Sequence, residues 1–244
     1  LLRGISPVVG EEVPISGGTA GDDGLFAQTW QFAGRKLLTD AAVAVGFSGD
    51  FNVGTGVRSG WAPIGLPRTA TKASGNKLFE LNGEPALSVY ARFLGKYAHK
   101  LPAIGVEYPL GIIGSDADTG ESDYFLLRAT MAVNRKEGSI SFAGEIPEGA
   151  KVSLTCGDIA SVLHAAEDAA RLAVSDLGAA EVAMIFCYSC MARKIVLGSR
   201  TPEEVALMRQ KIGPDLPIVG FYTYGEYSRL KKHGASHLHN ETVT

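Results

Sequence analysis

Glycine and proline interrupt this chain so often, at 30 and 11 of 244 positions, that only short strands and helices fit between the breaks. A membrane-spanning helix needs about 20 consecutive apolar residues, and no run approaches that. What remains is 45% hydrophobic and 20% charged with a formal net charge of -3. That suits a globular chain with a sizeable core and gives no basic excess to attract nucleic acid or an anionic membrane. The first residues, Leu1-Leu2-Arg3-Gly4, carry no initiator methionine and no leader signal, and the last open a strand. We expect a segment cut from a longer chain at both ends. An odd cysteine count, 3 in all, is a poor disulfide framework and fits a reducing cytoplasm.

Between the breaks the pattern alternates strands and helices. A glycine-rich turn at 17–24 precedes strand-like runs at 29–32 and 41–47. Residues 67–72 are extended, 77–81 read as a strand and Asn82-Gly83 as a turn. A helix is expected from Glu84 to about Ala98, with Ala86, Val89, Tyr90, Phe93, Leu94 and Tyr97 on one stripe. Residues 124–133 and 139–142 read as a hairpin, and 151–155 as a strand. Asp158 caps a helix running to Leu177, with Gly178 just past its end. Strands follow at 182–186 and 217–222. Between them, Thr201-Pro202-Glu203-Glu204 opens a helix in which Thr201 and Glu204 make a capping box. The fold class is α/β or α+β, with mixed sheets, interspersed helices and two sub-domains, and the natural boundary lies at Ser74-Gly75-Asn76.

Two stretches carry the chemistry: Phe186-Cys187-Tyr188-Ser189-Cys190-Met191-Ala192-Arg193 and Gly220-Phe221-Tyr222-Thr223-Tyr224-Gly225-Glu226. Each follows an apolar run and turns polar, as ligand-binding ends of strands do in open α/β sheets. Side by side they supply thiols, hydroxyls, glycine backbone, one guanidinium and one carboxylate. A guanidinium grips a carboxylate and a carboxylate pairs with an ammonium, so Arg193 and Glu226 suit a zwitterion. The competing reading pairs the two with each other or with water. Cys190, Gly220, Thr223 and Gly225 complete the expected lining.

Other chemistries are weaker. Cys187 and Cys190 make a CxxC, which can form a redox disulfide, but the context of a thioredoxin-like βαβ unit is missing. Those two with His237 and His239 have the donor types for zinc, at separations unlike any compact motif. The turn at 17–24 lacks the lysine of a phosphate loop and carries Asp22 and Asp23 instead. Ser48 follows Gly46 by two positions but has Asp50 where a nucleophile elbow needs glycine. His99 favours a helix C-terminus, and His164 sits on the polar side of its helix. Nothing resembles a catalytic triad, so a non-enzymatic chain is expected.

These residues resemble the FIST family of sensory domains. The likeness runs through Gly17-Gly18-Thr19-Ala20-Gly21-Asp22, Gly60-Trp61-Ala62-Pro63, Thr71-Lys72-Ala73-Ser74-Gly75-Asn76, Leu81-Asn82-Gly83-Glu84-Pro85-Ala86 and Gly138-Ser139-Ile140. It ends on Ser189-Cys190-Met191-Ala192-Arg193 and Gly220-Phe221-Tyr222-Thr223-Tyr224-Gly225-Glu226. The resemblance implies the late part of the family's N-terminal region at 1–75 and its C-terminal region at 76–244, with Ala192 where the family favours glycine. It also implies a bacterial, cytoplasmic sensor of a small ligand such as an amino acid, signalling to a histidine kinase or cyclase. The second reading is a haem-binding nitric-oxide sensor, which needs an axial histidine or cysteine. The third is a CxxC thiol redox protein.

Overall fold

A computed structural model describes residues 1–10, 12–114, 124–230 and 234–244. In chain order its elements are α1 (Leu2–Val9), β1 (Gly17–Ala20), β2 (Gln31–Ala33), β3 (Lys36–Leu38), β4 (Ala62–Ser74), β5 (Lys77–Leu81), β6 (Glu84–Pro85), α2 (Ala86–Leu94), β7 (Leu110–Gly114), β8 (Tyr124–Arg128), β9 (Thr130–Asn134), β10 (Ser139–Phe142), β11 (Lys151–Cys156), α3 (Ile159–Leu177), β12 (Ile185–Cys190), α4 (Met191–Leu197), α5 (Thr201–Ile212), β13 (Ile218–Arg229) and β14 (Ser236–His239). The expected mixed α/β architecture is present. The chain divides into two compact units, one of Leu1–Arg58, Leu163–Leu238 and Thr242–Thr244, the other of Ser59–Val162 and His239–Glu241. No helix among the described residues is long and apolar enough to cross a membrane.

The Ser59–Val162 unit is built on an antiparallel sheet in the order β8-β7-β11-β4-β5-β10-β9, with β6 beside β5. Its two outermost strands, β8 and β9, are consecutive in sequence and joined by Ala129 alone, so the sheet curls until its edges nearly meet. β4 makes this curl. Its first part pairs with β11 and its last part with β5, and register shifts interrupt both ladders, as expected where bulges bend a strand. Inside lie Leu78, Leu81, Ile140 and Phe142, together with Ala86, Val89, Tyr90 and Leu94 of α2, all buried. Each large side chain among them contributes about 1.5–3 kcal/mol by leaving water. The Tyr90 and Phe142 rings meet at 6.3 Å.

Several sequence expectations meet different outcomes in this unit. Asn82-Gly83 is a turn of left-handed residues, φ 51° and 80°, as its Asn-Gly sequence dictates. Ser74-Gly75-Asn76 belongs to the β4–β5 hairpin. α2 stops at Leu94 and continues as a tighter 3-10 turn over Gly95–Lys100. The expected 124–133 strand splits at Ala129. β9 forms the hairpin with β10, whereas β8 pairs with β7.

In the other unit, β13 is central. It pairs in parallel with β12 and antiparallel with β1, and β14 also joins it. Residues 41–47 form no strand, and Gly17–Ala20, expected as part of a turn, is β1. Asp158 caps α3 by accepting the Ser161 N–H at 2.7 Å, and Gly178 follows the helix with φ 77°. Ala166, Ala169 and Ala170 of α3 pack with Met208 of α5 and Val243, and Cys187, Val205 and Ile212 flank that core.

Candidate functional site

Gly220–Glu226 lies wholly inside a strand, and not beyond a strand end as the sequence suggested, whereas the first stretch straddles the end of β12 and the start of α4. β12 runs on through Cys190, and β13 continues to Arg229. Their parallel register sets Cys187 beside Gly220, Ser189 beside Tyr222 and Cys190 beside Thr223. Strand alternation then places Cys187, Ser189, Gly220 and Tyr222 on one face. Helix α5 packs there, bringing Met208 Sδ to 3.9 Å from Cys187 Sγ. Gly220 permits the close approach of β12 to β13, because a Cβ at that position would lie 1.6 Å from the Cys187 carbonyl oxygen. A cleft of about 240 Å³ opens beside these strands, lined by Ser189, Glu204, Val205, Arg209, Gly220 and Tyr222 among others.

The polar part of the cleft is organised by Glu204, fully buried on α5. Its Oε1 accepts from Arg193 Nε at 2.7 Å, and Arg193, on α4, is itself 0% exposed. Its Oε2 accepts from Ser189 Oγ and from the Tyr222 hydroxyl, each at 3.0 Å. A buried ion pair needs such extra donors to offset the desolvation of both charges. The pair also acts on its neighbours. Burial, and then the Glu204 charge, push the Cys187 thiol up to about 12, against an opposing effect of Arg193. The same two causes raise the Tyr222 phenol. Arg209 lines the cleft with its guanidinium held by the carbonyls of Pro214 and Leu216, at 3.1 and 3.4 Å.

A second polar cluster sits around Glu226, also fully buried. Its Oε1 accepts the Thr223 hydroxyl. Its Oε2 accepts the Thr242 hydroxyl at 2.8 Å and the Thr242 N–H at 3.2 Å. Cys190 donates to the same carboxyl. None of these donors is charged, so burial prevails and pushes the carboxyl up to about 7. The Thr242–Thr244 segment is tied to β12, with Cys190 N donating to Thr242 O at 2.8 Å and Tyr188 exchanging two bonds of 2.9 Å with Thr244.

Of the residues expected from sequence, Cys190, Thr223 and Glu226 come together around one carboxyl. Gly220 lines the cleft, Arg193 supports it through Glu204, and the buried Gly225 offers its carbonyl to Thr19 Oγ1 at 3.4 Å. Arg193 and Glu226 thus belong to different clusters. Glu204 was missed because Thr201-Pro202-Glu203-Glu204 reads as a capping box. The box does not form: Arg200 is the N-cap, Thr201 is already helical at φ -48°, ψ -41°, and Glu204 turns inward. Arg209 and Thr242 had no sequence signal beyond their polarity.

The remaining sequence candidates are dispersed. Asp22 accepts from the N–H groups of Phe26, Ala27 and Gln28 at 2.9, 2.6 and 3.0 Å and from the Tyr224 hydroxyl. The Tyr224 bond comes first among the causes that hold its carboxyl down at about 2. The glycine-rich segment is therefore closed on itself. Cys187 and Cys190, an odd number of positions apart on one strand, face opposite ways. No group of three or more His, Cys, Asp or Glu among the described residues is placed to hold a metal. His237 and His239 lie on β14, His164 is exposed near Glu167 and Asp168, and His99 bonds the Lys96 carbonyl. His233 lies outside the described residues. Among the described residues, none of those that line the cleft is a histidine.

Comparison with known proteins agrees with the resemblance read from the motifs. The FIST N domain model matches residues 1–84 and the FIST C domain model residues 86–229. An uncharacterized protein of Methanocaldococcus jannaschii, MJ1623, is 28% identical over 216 residues, covering 82% of this chain and 40% of that protein. This chain therefore spans well under half the length of that relative. No solved structure matches it. Motif order and the two family models, which together run across nearly all of the sequence, lead to one conclusion: the chain belongs to the FIST family.

Proposed function

We propose that this chain is a non-enzymatic sensory module that binds a small zwitterion, an amino acid or a related metabolite, in the cleft beside β12 and β13. The observation that carries the reading is the composition of the cleft wall: a buried carboxylate with two hydroxyls bonded to it, Ser189 and Tyr222, and a guanidinium, Arg209, in a space of about 240 Å³. Drug-sized ligands occupy roughly 300–1,000 Å³, so a smaller molecule suits this cleft. Its ammonium meets oxygen lone pairs of Glu204, Ser189 and Tyr222, and its carboxylate meets Arg209. Arg193 holds Glu204 in place, and the Glu226 cluster holds the neighbouring strand ends. Occupancy passes to a signalling partner such as a histidine kinase or cyclase.

The test is a thermal-unfolding screen of the protein against individual amino acids, repeated with Arg209→Ala. A specific ligand at 100 times its Kd adds about 2.7 kcal/mol of stability. We expect a shift with one amino-acid class, lost in Arg209→Ala while that variant's own unfolding stays cooperative. Identical shifts in both proteins, or no shift across the panel, would overturn the proposal. The dithiol reading gains no support from a Cys187 thiol pushed up to about 12, since the attacking species in exchange is the thiolate.

A further inference from the structure

The Ser59–Val162 unit carries a separate groove of about 370 Å³, lined by Ile64, Gly65, Leu66, Arg68, Val89, Arg92, Phe93 and Leu154. Its origin is a distortion of β4. Arg68 pairs with Val152 and Ile64 with Leu154, so residues 65–67 stand opposite Ser153 alone. Two extra residues must leave the ladder, and bulges of this kind re-aim side chains. Gly65 takes φ +75°, with open space where its Cβ would be. The glycine is thus required by backbone conformation and not by crowding. The chain beyond it lifts Leu66 into solvent, 88% exposed.

Three features of the groove point to one class of ligand. Its floor includes Val89 and Leu154, core side chains only 3% and 6% exposed. Its rim leaves Leu66 and Phe93 in water, the latter 44% exposed, which costs free energy unless something apolar covers them. Its polar groups are guanidinium ions. Arg92 gives one amine to Glu84 at 2.7 Å, and the half-buried Arg68 makes no side-chain hydrogen bond or ion pair among the described residues. With Glu84 offsetting one of two cations, the groove is left with one net positive charge beside an apolar trough.

We infer that this groove binds an anionic amphiphile: a single carboxylate or phosphate head held by Arg68 and Arg92, with an aliphatic tail of about eight carbons over Val89, Leu154 and Phe93 under Leu66. The site is independent of the cleft beside β12, so either can fail without the other.

The experiment is calorimetric titration of the whole chain with octanoate, octyl phosphate and the uncharged 1-octanol, repeated on Arg68→Ala and Leu66→Ser. Both substitutions are at exposed or half-buried positions, and a circular-dichroism spectrum checks the fold of each. At least one of the two anions should bind ten times more tightly than 1-octanol, and which one does so identifies the head group. Arg68→Ala should weaken that anion at least tenfold, and Leu66→Ser should weaken anion and alcohol alike. Equal affinity for anion and alcohol, absence of binding, or binding indifferent to both groove substitutions would each overturn the inference.

Discussion

Raising the pH from 5 to 8 should destabilise this protein through one residue, Glu226. Its carboxyl has an ordinary value of 4.5 and is pushed up to about 7 in the folded chain by burial. At pH 5 the folded state therefore still holds a proton that the unfolded state has largely released, and it gives that proton up as pH passes 7. The stability this confers is fully present below pH 4.5, declines as pH rises, and is gone above about 7. A difference of roughly 2.5 pH units at 1.36 kcal/mol each amounts to ~3 kcal/mol. Carboxyls shifted the other way, such as Asp22 at about 2, act only at lower pH, where they oppose it.

The isosteric Glu226→Gln isolates this contribution. An amide keeps an acceptor for the Thr242 N–H and hydroxyl. Its NH₂ can face Thr223 Oγ1, whose own hydrogen then goes to the Ser189 carbonyl 3.4 Å away. The variant thus imitates the protonated carboxyl at every pH. Urea unfolding at intervals from pH 5 to 8 should give equal midpoints for the two proteins near pH 5. At pH 8 the variant should be more stable by ~3 kcal/mol. Contributions from other ionisable groups are common to both proteins and cancel in the difference. Parallel stability curves for wild type and variant would refute the reasoning.

Other perturbations probe the same strands. Arg193→Met removes the guanidinium 2.7 Å from Glu204 and leaves a buried carboxylate uncompensated. Urea unfolding near neutral pH should show a loss of about 3–5 kcal/mol, much of it restored by adding Glu204→Leu. Gly220→Ala places a Cβ 1.6 Å from the Cys187 carbonyl oxygen, so β12 and β13 must part. A stability loss of about 3 kcal/mol is expected, and a neutral result would mean the strands are further apart than described. Cys187, with its thiol pushed up to about 12, has a thiolate fraction on the order of 10⁻⁴ at pH 8. Its alkylation, followed by peptide mass spectrometry, should lag far behind that of a free peptide thiol.

Legibility of the fold in the sequence tracked how local each signal was. Asn82-Gly83 and Asp158 are decided within a few residues, and both behave as their chemistry dictates. The split of 124–133 into β8 and β9 is not local. It depends on β7, which claims the first half as a partner, and nothing in that run announces a corner at Ala129. The candidate site divides the same way. The pairing of Cys190 with Thr223 follows from two adjacent strands, whereas Glu226, three positions on, joins them because the ladder with β1 shifts register between the two, which no local signal announces. Where each strand ended could not be read, because small and polar residues here line a buried face and do not mark a loop. Glu204 misled for a related reason. Its spacing from Thr201 satisfies a local rule, but a tertiary partner, Arg193, offers a stronger interaction than the helix N-terminus.

Buried polar groups of this density are hard to explain as scaffolding. Replacing an ion pair by packed apolar side chains is commonly neutral or stabilising, yet this unit keeps Arg193, Glu204, Thr223 and Glu226, each 0% exposed. Ser189 stands where their networks meet. Its hydroxyl donates to Glu204, and its carbonyl lies 3.4 Å from the Thr223 hydroxyl, whose hydrogen goes to Glu226, which in turn accepts from Thr242. In the function proposed above, a displacement at the cleft wall would pass along these contacts to the segment that borders β12. An apolar core would fix these strands as firmly but would offer the zwitterion proposed for the cleft no directional bonds to rearrange. Directional bonds between the cleft and a chain segment beyond it are what the proposed sensor needs and what a scaffold does not.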